Sequence, residues 1–417
     1  MPGAHAQPLR PRTRTLKKSS LLQSLEVLLA KAAEVLPELF GKRGTKVHGV
    51  RFQRDPLSPP FHVNLVRGQR VLQTSAALPL PGGGARMVPI DFAHAVLPAK
   101  PRPSAPEPEW EAYKQAQAQC NINRLAQERL RVLREQMDQR PQQAARRLVN
   151  AVDGRLTNST FLRQIPARTV VIGRIRKDAV LHELPEQQPA RGRKRKYGPQ
   201  TWTPEQLLKE ESIPFEEVKA FAAGREHAFQ VKRLRPVLMR LDRGARPVQI
   251  VVIKPLGYRL KQGGKLLYRQ PAFLMCTDSD MPVEEVLKDF IPRWEVEVNF
   301  RDEKTLLGVG QAQVRTPAAT EKAPALAVAA YGLLLLAGAN AYGPGGAPER
   351  GQEAKWYHRG QDQRAATSEL VNQLRRELWA EGLGGGNFTD FMASGALGQK
   401  SQKCEVPLTS ASLLSLN

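Results

Sequence analysis

The chain has 417 residues, and 63 Lys and Arg against 40 Asp and Glu give it a net charge of +23 and a pI near 10.2. That length buries a substantial core and excludes a disordered polymer, while the charge favours a polyanionic partner, nucleic acid first, without separating an enzyme from a binder. The three cysteines, Cys120, Cys276 and Cys404, are far apart and the seven histidines scattered, which excludes a zinc knuckle, points to a reducing compartment and leaves carboxylates to hold any catalytic metal.

In chain order, a basic stretch comes first and LLQSLEVLLAKAAEVL comes next. Charges within its apolar pattern and the lack of a small-residue cleavage site make this an amphipathic helix, not a signal peptide. Ser19 or Ser20 caps it, and it runs through Leu39 to end at Gly41. KVHGVRFQRD, GQRVLQTSAALPL and ARMVPIDFAHAVL are three β-rich segments parted by Pro and Gly turns, expected as an antiparallel meander. A proline-rich connector leads to a helical stretch over 113–149 that breaks near Pro141.

LVNAV, NSTFLRQI and TVVIGRI then read as strand, short helix and strand, a βαβ unit in which functional residues gather where parallel strands end. Asp153 stands at that edge; a turn Asp before Gly154 is the competing reading. The basic cluster RGRKRKYG, with Arg193, Lys194, Arg195 and Lys196, lies in a loop beside Tyr197 and Trp202 and is expected to contact DNA phosphates. Three more strands come after it, over AFQVKRLRPVLMRL, RPVQIVVIKPLGYRL and KLLYRQPAFLMCT, and Asp280 caps the next helix ahead of Pro282. The apolar segment 323–339 has 17 residues and includes Pro324, too short for a bilayer span and suited to a buried core helix. ELVNQLRRELWAEGLGGG closes the ordered pattern as an amphipathic helix that either completes the core or supports self-association.

The stretch FIPRWEVEVNFRDEK carries the most information. Phe290, Arg293, Glu297 and Lys304 are spaced by three, four and seven, on one face of a helix. On spacing alone Arg293 and Glu297 are an ordinary surface ion pair, worth a few tenths of a kcal/mol. Trp294 is expected in the core, and Arg301 and Lys322 as exposed helix charges.

The run RWEVEVNFRDEKTLLGVGQAQVR resembles the signature helix of bacterial insertion-sequence DDE transposases, in which Tyr, Arg, Glu and Lys hold this spacing. Phe290 stands where the family has Tyr. The resemblance runs from about residue 45 to near the C-terminus and is strongest over 151–315. It implies an α/β fold with a ribonuclease H-like mixed sheet, a β-rich insertion and flanking helices. The segments are then 1–45, basic and helical; 46–180, first part of the core, with the connector at 98–109; 181–280, the insertion with its basic loop; 281–345, second part of the core; and 346–417, a helical region and tail.

The resemblance implies metal-dependent cleavage of double-stranded DNA at element ends and strand transfer to a target, in a bacterial cytoplasm and nucleoid, without a membrane. Asp153 and Glu297 take two of three catalytic carboxylate positions and hold two Mg²⁺ or Mn²⁺ ions, with Arg293 and Lys304 gripping phosphates. The family's strand-then-Asp pattern for the first carboxylate is absent; Asp55 has the right order in the chain, though PLSPP after it suits a turn, and Asp91 comes too late and is structural. This departure leaves a non-catalytic, DNA-binding derivative of the same fold as the alternative.

Overall fold

The computed structural model describes residues 33–41, 47–54, 64–186, 195–241, 244–259, 263–348 and 364–382. The elements, in order, are β1 (Ala33–Gly41), β2 (Arg51–Arg54), β3 (Leu65–Pro79), β4 (Ala85–His94), α1 (Glu107–Gln119), α2 (Ile122–Asp138), α3 (Pro141–Ala144), β5 (Leu148–Val152), α4 (Ser159–Leu162) and β6 (Thr169–Arg174). They continue as β7 (Leu181–His182), α5 (Pro204–Lys209), β8 (Glu216–Ala222), β9 (Arg225–Leu241), β10 (Gly244–Ile253), β11 (Gly257–Arg259), β12 (Leu266–Tyr268) and β13 (Ala272–Cys276). The last four are α6 (Val283–Phe290), α7 (Trp294–Thr305), α8 (Pro317–Tyr342) and α9 (Thr367–Gly382). The class is mixed α/β, built on one open mixed sheet of 11 strands.

At the centre of that sheet β5 pairs in parallel with both β1 and β6. Every residue of LVNAV is buried, as both faces of a parallel strand are covered. The βαβ reading is met: Leu148 to Val152 align one for one with Thr169 to Gly173. On the other side of β1 lies the long antiparallel β3, whose far edge carries β4 and, at its beginning, β2. The meander is thus a β3–β4 hairpin with β2 on the first residues of β3.

Residues 33–41 are a strand and not the end of a helix. Helical spacing here competes with pairing to two strands at once, and Pro37, which cannot donate within a helix, removes the helical alternative. The rest of the segment expected as an N-terminal helix lies outside the described residues. Of the strands expected as a β-rich insertion over 181–280, β13 pairs with β6, β10 with β13 and β9 with β10, so these extend the central sheet.

One face of the sheet is covered by α2, α4 and α5. Asn121 caps α2 by accepting from the Asn123 amide at 2.8 Å, and Ala126, Leu130, Leu133 and Met137 form its buried stripe against Leu72, Leu148, Val152 and Val171. The opposite face receives α6, through Val286 and Leu287 on Val149, Val170 and Ile172, and α7, through Val296 and Phe300 on Ala77 and Met87. α8 runs along β4 with Val328, Tyr331, Leu335 and Leu336 buried. Among the described residues it is the one helix long and apolar enough to cross a membrane, and its buried stripe belongs to the core.

Candidate active site

Asp153 follows the last residue of β5 in extended conformation and heads a 3₁₀ turn over Gly154–Leu156. The turn is pinned at three points. The Leu156 amide donates to the Asp153 carbonyl at 2.9 Å, the Leu156 side chain is fully buried, and the Thr157 hydroxyl lies 2.6 Å from the Arg174 carbonyl and 2.8 Å from that of Gly154. Gly173 makes this packing feasible, because a Cβ there would stand 2.3 Å from Thr157 Cγ2 and 2.8 Å from Val152 Cγ2.

The signature spacing does not lie on one continuous α-helix. Phe290 ends α6, Arg293 closes a 3₁₀ turn over Ile291–Arg293, and Glu297 and Lys304 belong to α7. Pro292 supplies the break, since it has no amide to bond back into α6. The turn keeps the residues together all the same. The Arg293 guanidinium sits 5.8 Å from the centre of the half-buried Phe290 ring and donates to the Glu297 carboxylate at 3.3 Å. α6 begins at Val283 after Pro282, leaving Asp280 outside it. Trp294 is 62% exposed and not in the core, because Val296, Asn299, Phe300 and Glu303 form the stripe of α7 that meets the sheet.

Val149 of β5 pairs with Val170, and Ala151 with Ile172, on the α6 side of the sheet, while Leu156, in the turn that Asp153 heads, packs on the other side with Leu148 and Val152. Glu34 of β1 is in register with Ala151 of β5 and Ser75 of β3, and Ala77, two residues further along β3, packs beneath α7. α7 crosses β4 and β1, whereas β5 and β6 pack under α6. At its far end Lys304 borders a depression of about 200 Å³ with Leu39 and Gly41 of β1. The helix bearing Glu297 thus lies over β4 and β1, while Asp153 follows the end of β5, the parallel neighbour of β1. Among the described residues no three His, Cys, Asp or Glu side chains gather as a metal-binding group.

α7 is fixed by a buried polar relay absent from the sequence reading. The Asn299 amide donates to the Met87 carbonyl at 2.8 Å, the Tyr331 hydroxyl meets Asn299 Oδ1 at 3.2 Å and Thr367 Oγ1 at 3.3 Å, and the Thr367 hydroxyl donates to Asp302 at 2.6 Å. Burial drives the Tyr331 phenol well above its ordinary pKa, so it stays a neutral donor. Arg364 pairs with Glu295 on the same helix. Near Asp153, burial and then the charge of Arg155 depress the Arg70 guanidinium.

Asp55, Arg193 and Lys194 lie outside the described residues. Arg195 and Lys196 are exposed, and the half-buried Tyr197 ring rests 4.9 Å from that of His182. Asp91 is structural, paired with Arg129. The two acidic positions of β1, Glu34 and Glu38, were hidden by the helical reading of that segment; Pro37 between them was the available signal. The chain matches no protein-family model and no curated protein sequence.

Proposed function

We propose that this chain is a DDE transposase of the bacterial insertion-sequence type, a metal-dependent enzyme that cuts DNA at element ends and joins the freed 3′-hydroxyl to target DNA. What supports the reading is Asp153 at the end of the parallel strand β5 together with the ion pair on α7 in which Arg293 holds Glu297 at 3.3 Å. The strand order β4-β3-β1-β5-β6, antiparallel on the first two contacts and parallel on the last two, supports a ribonuclease H-like core.

The carboxylates of Asp153 and Glu297 are hard oxygen donors suited to Mg²⁺ or Mn²⁺, and Asp55 is the third ligand in this reading. Such a pair of ions, when bound, activates the attacking oxygen and stabilises the leaving one. The protein's share is positioning: the pinned 153–157 turn and the polar relay under α7 hold both carboxylates before substrate arrives. Arg293 orients Glu297, and Lys304 meets a phosphate further along the groove. Glu34 and Glu38 join Asp55 as positions to test for the first ligand.

Mn²⁺ binding, followed by electron paramagnetic resonance, tests whether the two carboxylates form one site. Asp153→Asn and Glu297→Gln should each weaken binding of the same ions by about tenfold or more, and combining them should add little, as for residues acting as a unit. Full Mn²⁺ binding by either single variant contradicts a shared site.

A further inference from the structure

β11 and β12 form a two-stranded ribbon of their own, outside the 11-stranded sheet. Its register pairs Gly257 with Tyr268, Tyr258 with Leu267 and Arg259 with Leu266. In an antiparallel pair, opposite residues share a face, so Gly257, Arg259, Leu266 and Tyr268 lie together and Tyr258 with Leu267 on the reverse. The reverse is half-buried, and the Arg269 guanidinium sits 5.3 Å from the Tyr258 ring centre. The first face is open: Tyr268 is 64% and Leu266 40% exposed, and Arg259 is exposed beside them.

Gly257 shapes that face. A Cβ there would fall 3.1 Å from Leu266 Cδ1 and 3.4 Å from Tyr268 Cε1, so the two side chains lie across the glycine. Arg259 donates to the Gly264 carbonyl and ties the ribbon to its connecting loop. Between 254 and 271 the basic residues are Lys254, Arg259, Lys261, Lys265 and Arg269, with no acid among them. Tyr268 and Leu266 lie exposed side by side, and the positive charge around them, with no acid between 254 and 271, selects a polyanion as what covers them.

We propose that the β11–β12 ribbon docks in the major groove of duplex DNA, with Arg259, Leu266 and Tyr268 at base edges, while Lys265 and Arg269, exposed and alternating onto the reverse of the ribbon, reach past its edges to the flanking phosphates. The major groove, about 12 Å wide, admits a two-stranded ribbon; arginine reads guanine there, and apolar groups meet the thymine methyl. This rests on the DNA-processing reading and adds a contact surface distant in sequence from the basic loop at 191–198.

Duplex binding by the full chain, measured across a salt series with hydroxyl-radical footprinting, tests the ribbon. Lys265→Ala with Arg269→Ala should lower the salt slope by about 1.8, roughly 0.9 per lost phosphate contact, while Lys114→Ala with Lys322→Ala, removing equal charge elsewhere, should leave it unchanged. Tyr268→Ala with Leu266→Ala should keep the slope and lose part of the footprint. Wild-type slope and footprint in all ribbon variants overturn the docking while leaving the DNA reading intact; a wild-type chain that binds no duplex overturns both. Ribbon variants that lose single-strand binding alone also overturn it.

Discussion

Gly173 is a glycine because the turn bearing Asp153 folds onto it. Gly173→Ala forces a methyl against Thr157 and Val152, and overpacking of this kind costs about 1–3 kcal/mol. Denaturant unfolding should show that loss, with reduced Mn²⁺ binding where the displaced turn carries Asp153 with it. His94, at the end of β4, has both ring nitrogens buried without hydrogen-bond partners. Burial, reinforced by the charge of His48 and opposed by Glu321, lowers its pKa below the ordinary 6.5. The unfolded chain therefore binds a proton that the native state refuses as pH falls from about 6.5 towards the native value, so stability is full above that window and declines through it. A pH series of unfolding midpoints should flatten over that interval in His94→Phe. At this scale the sequence was legible in the turn that Asp153 makes before Gly154 and in the ion pair of Arg293 with Glu297 four residues on. It was silent on Gly173, whose role comes from a neighbour sixteen residues earlier in the chain.

α7, the helix that carries Glu297, is held to β4 and α8 by the Asn299, Tyr331 and Thr367 relay. Asn299→Ala should destabilise the fold by about 1–3 kcal/mol, since it strands a buried carbonyl and hydroxyl, and Tyr331→Phe by about 1–2 kcal/mol. Urea unfolding measures both, and a double variant less destabilised than the two losses added would show that they act in one network. Strands with strong period-two or continuous apolar patterns, such as β3, β5 and β6, were legible from the sequence. β1 was not: its spacing fits a helix, and only pairing with β3 and β5 makes it a strand. The α6–α7 junction was legible as helical spacing but not as a broken path, because the spacing survives the turn at Pro292.

Across the whole molecule, the sheet collects what the sequence separates. The strands expected as an insertion extend the same sheet beyond β6, and the basic ribbon leaves it between β10 and β13. With a net charge of +23, duplex binding should weaken steeply as salt rises. Binding alone does not make a transposase; strand cleavage does. DNA carrying the flanking ends of the chain's own element, incubated with the protein and Mg²⁺ or Mn²⁺, should yield cut strands whose 3′-hydroxyls join target DNA. Asp153→Asn and Glu297→Gln should each abolish cutting while retaining duplex binding, and Asp55→Asn should do the same if it is the first ligand. A wild-type protein that binds these ends but cuts them no more than the Asp153 and Glu297 variants do, under either metal, would contradict the catalytic reading and leave a DNA-binding derivative of the fold.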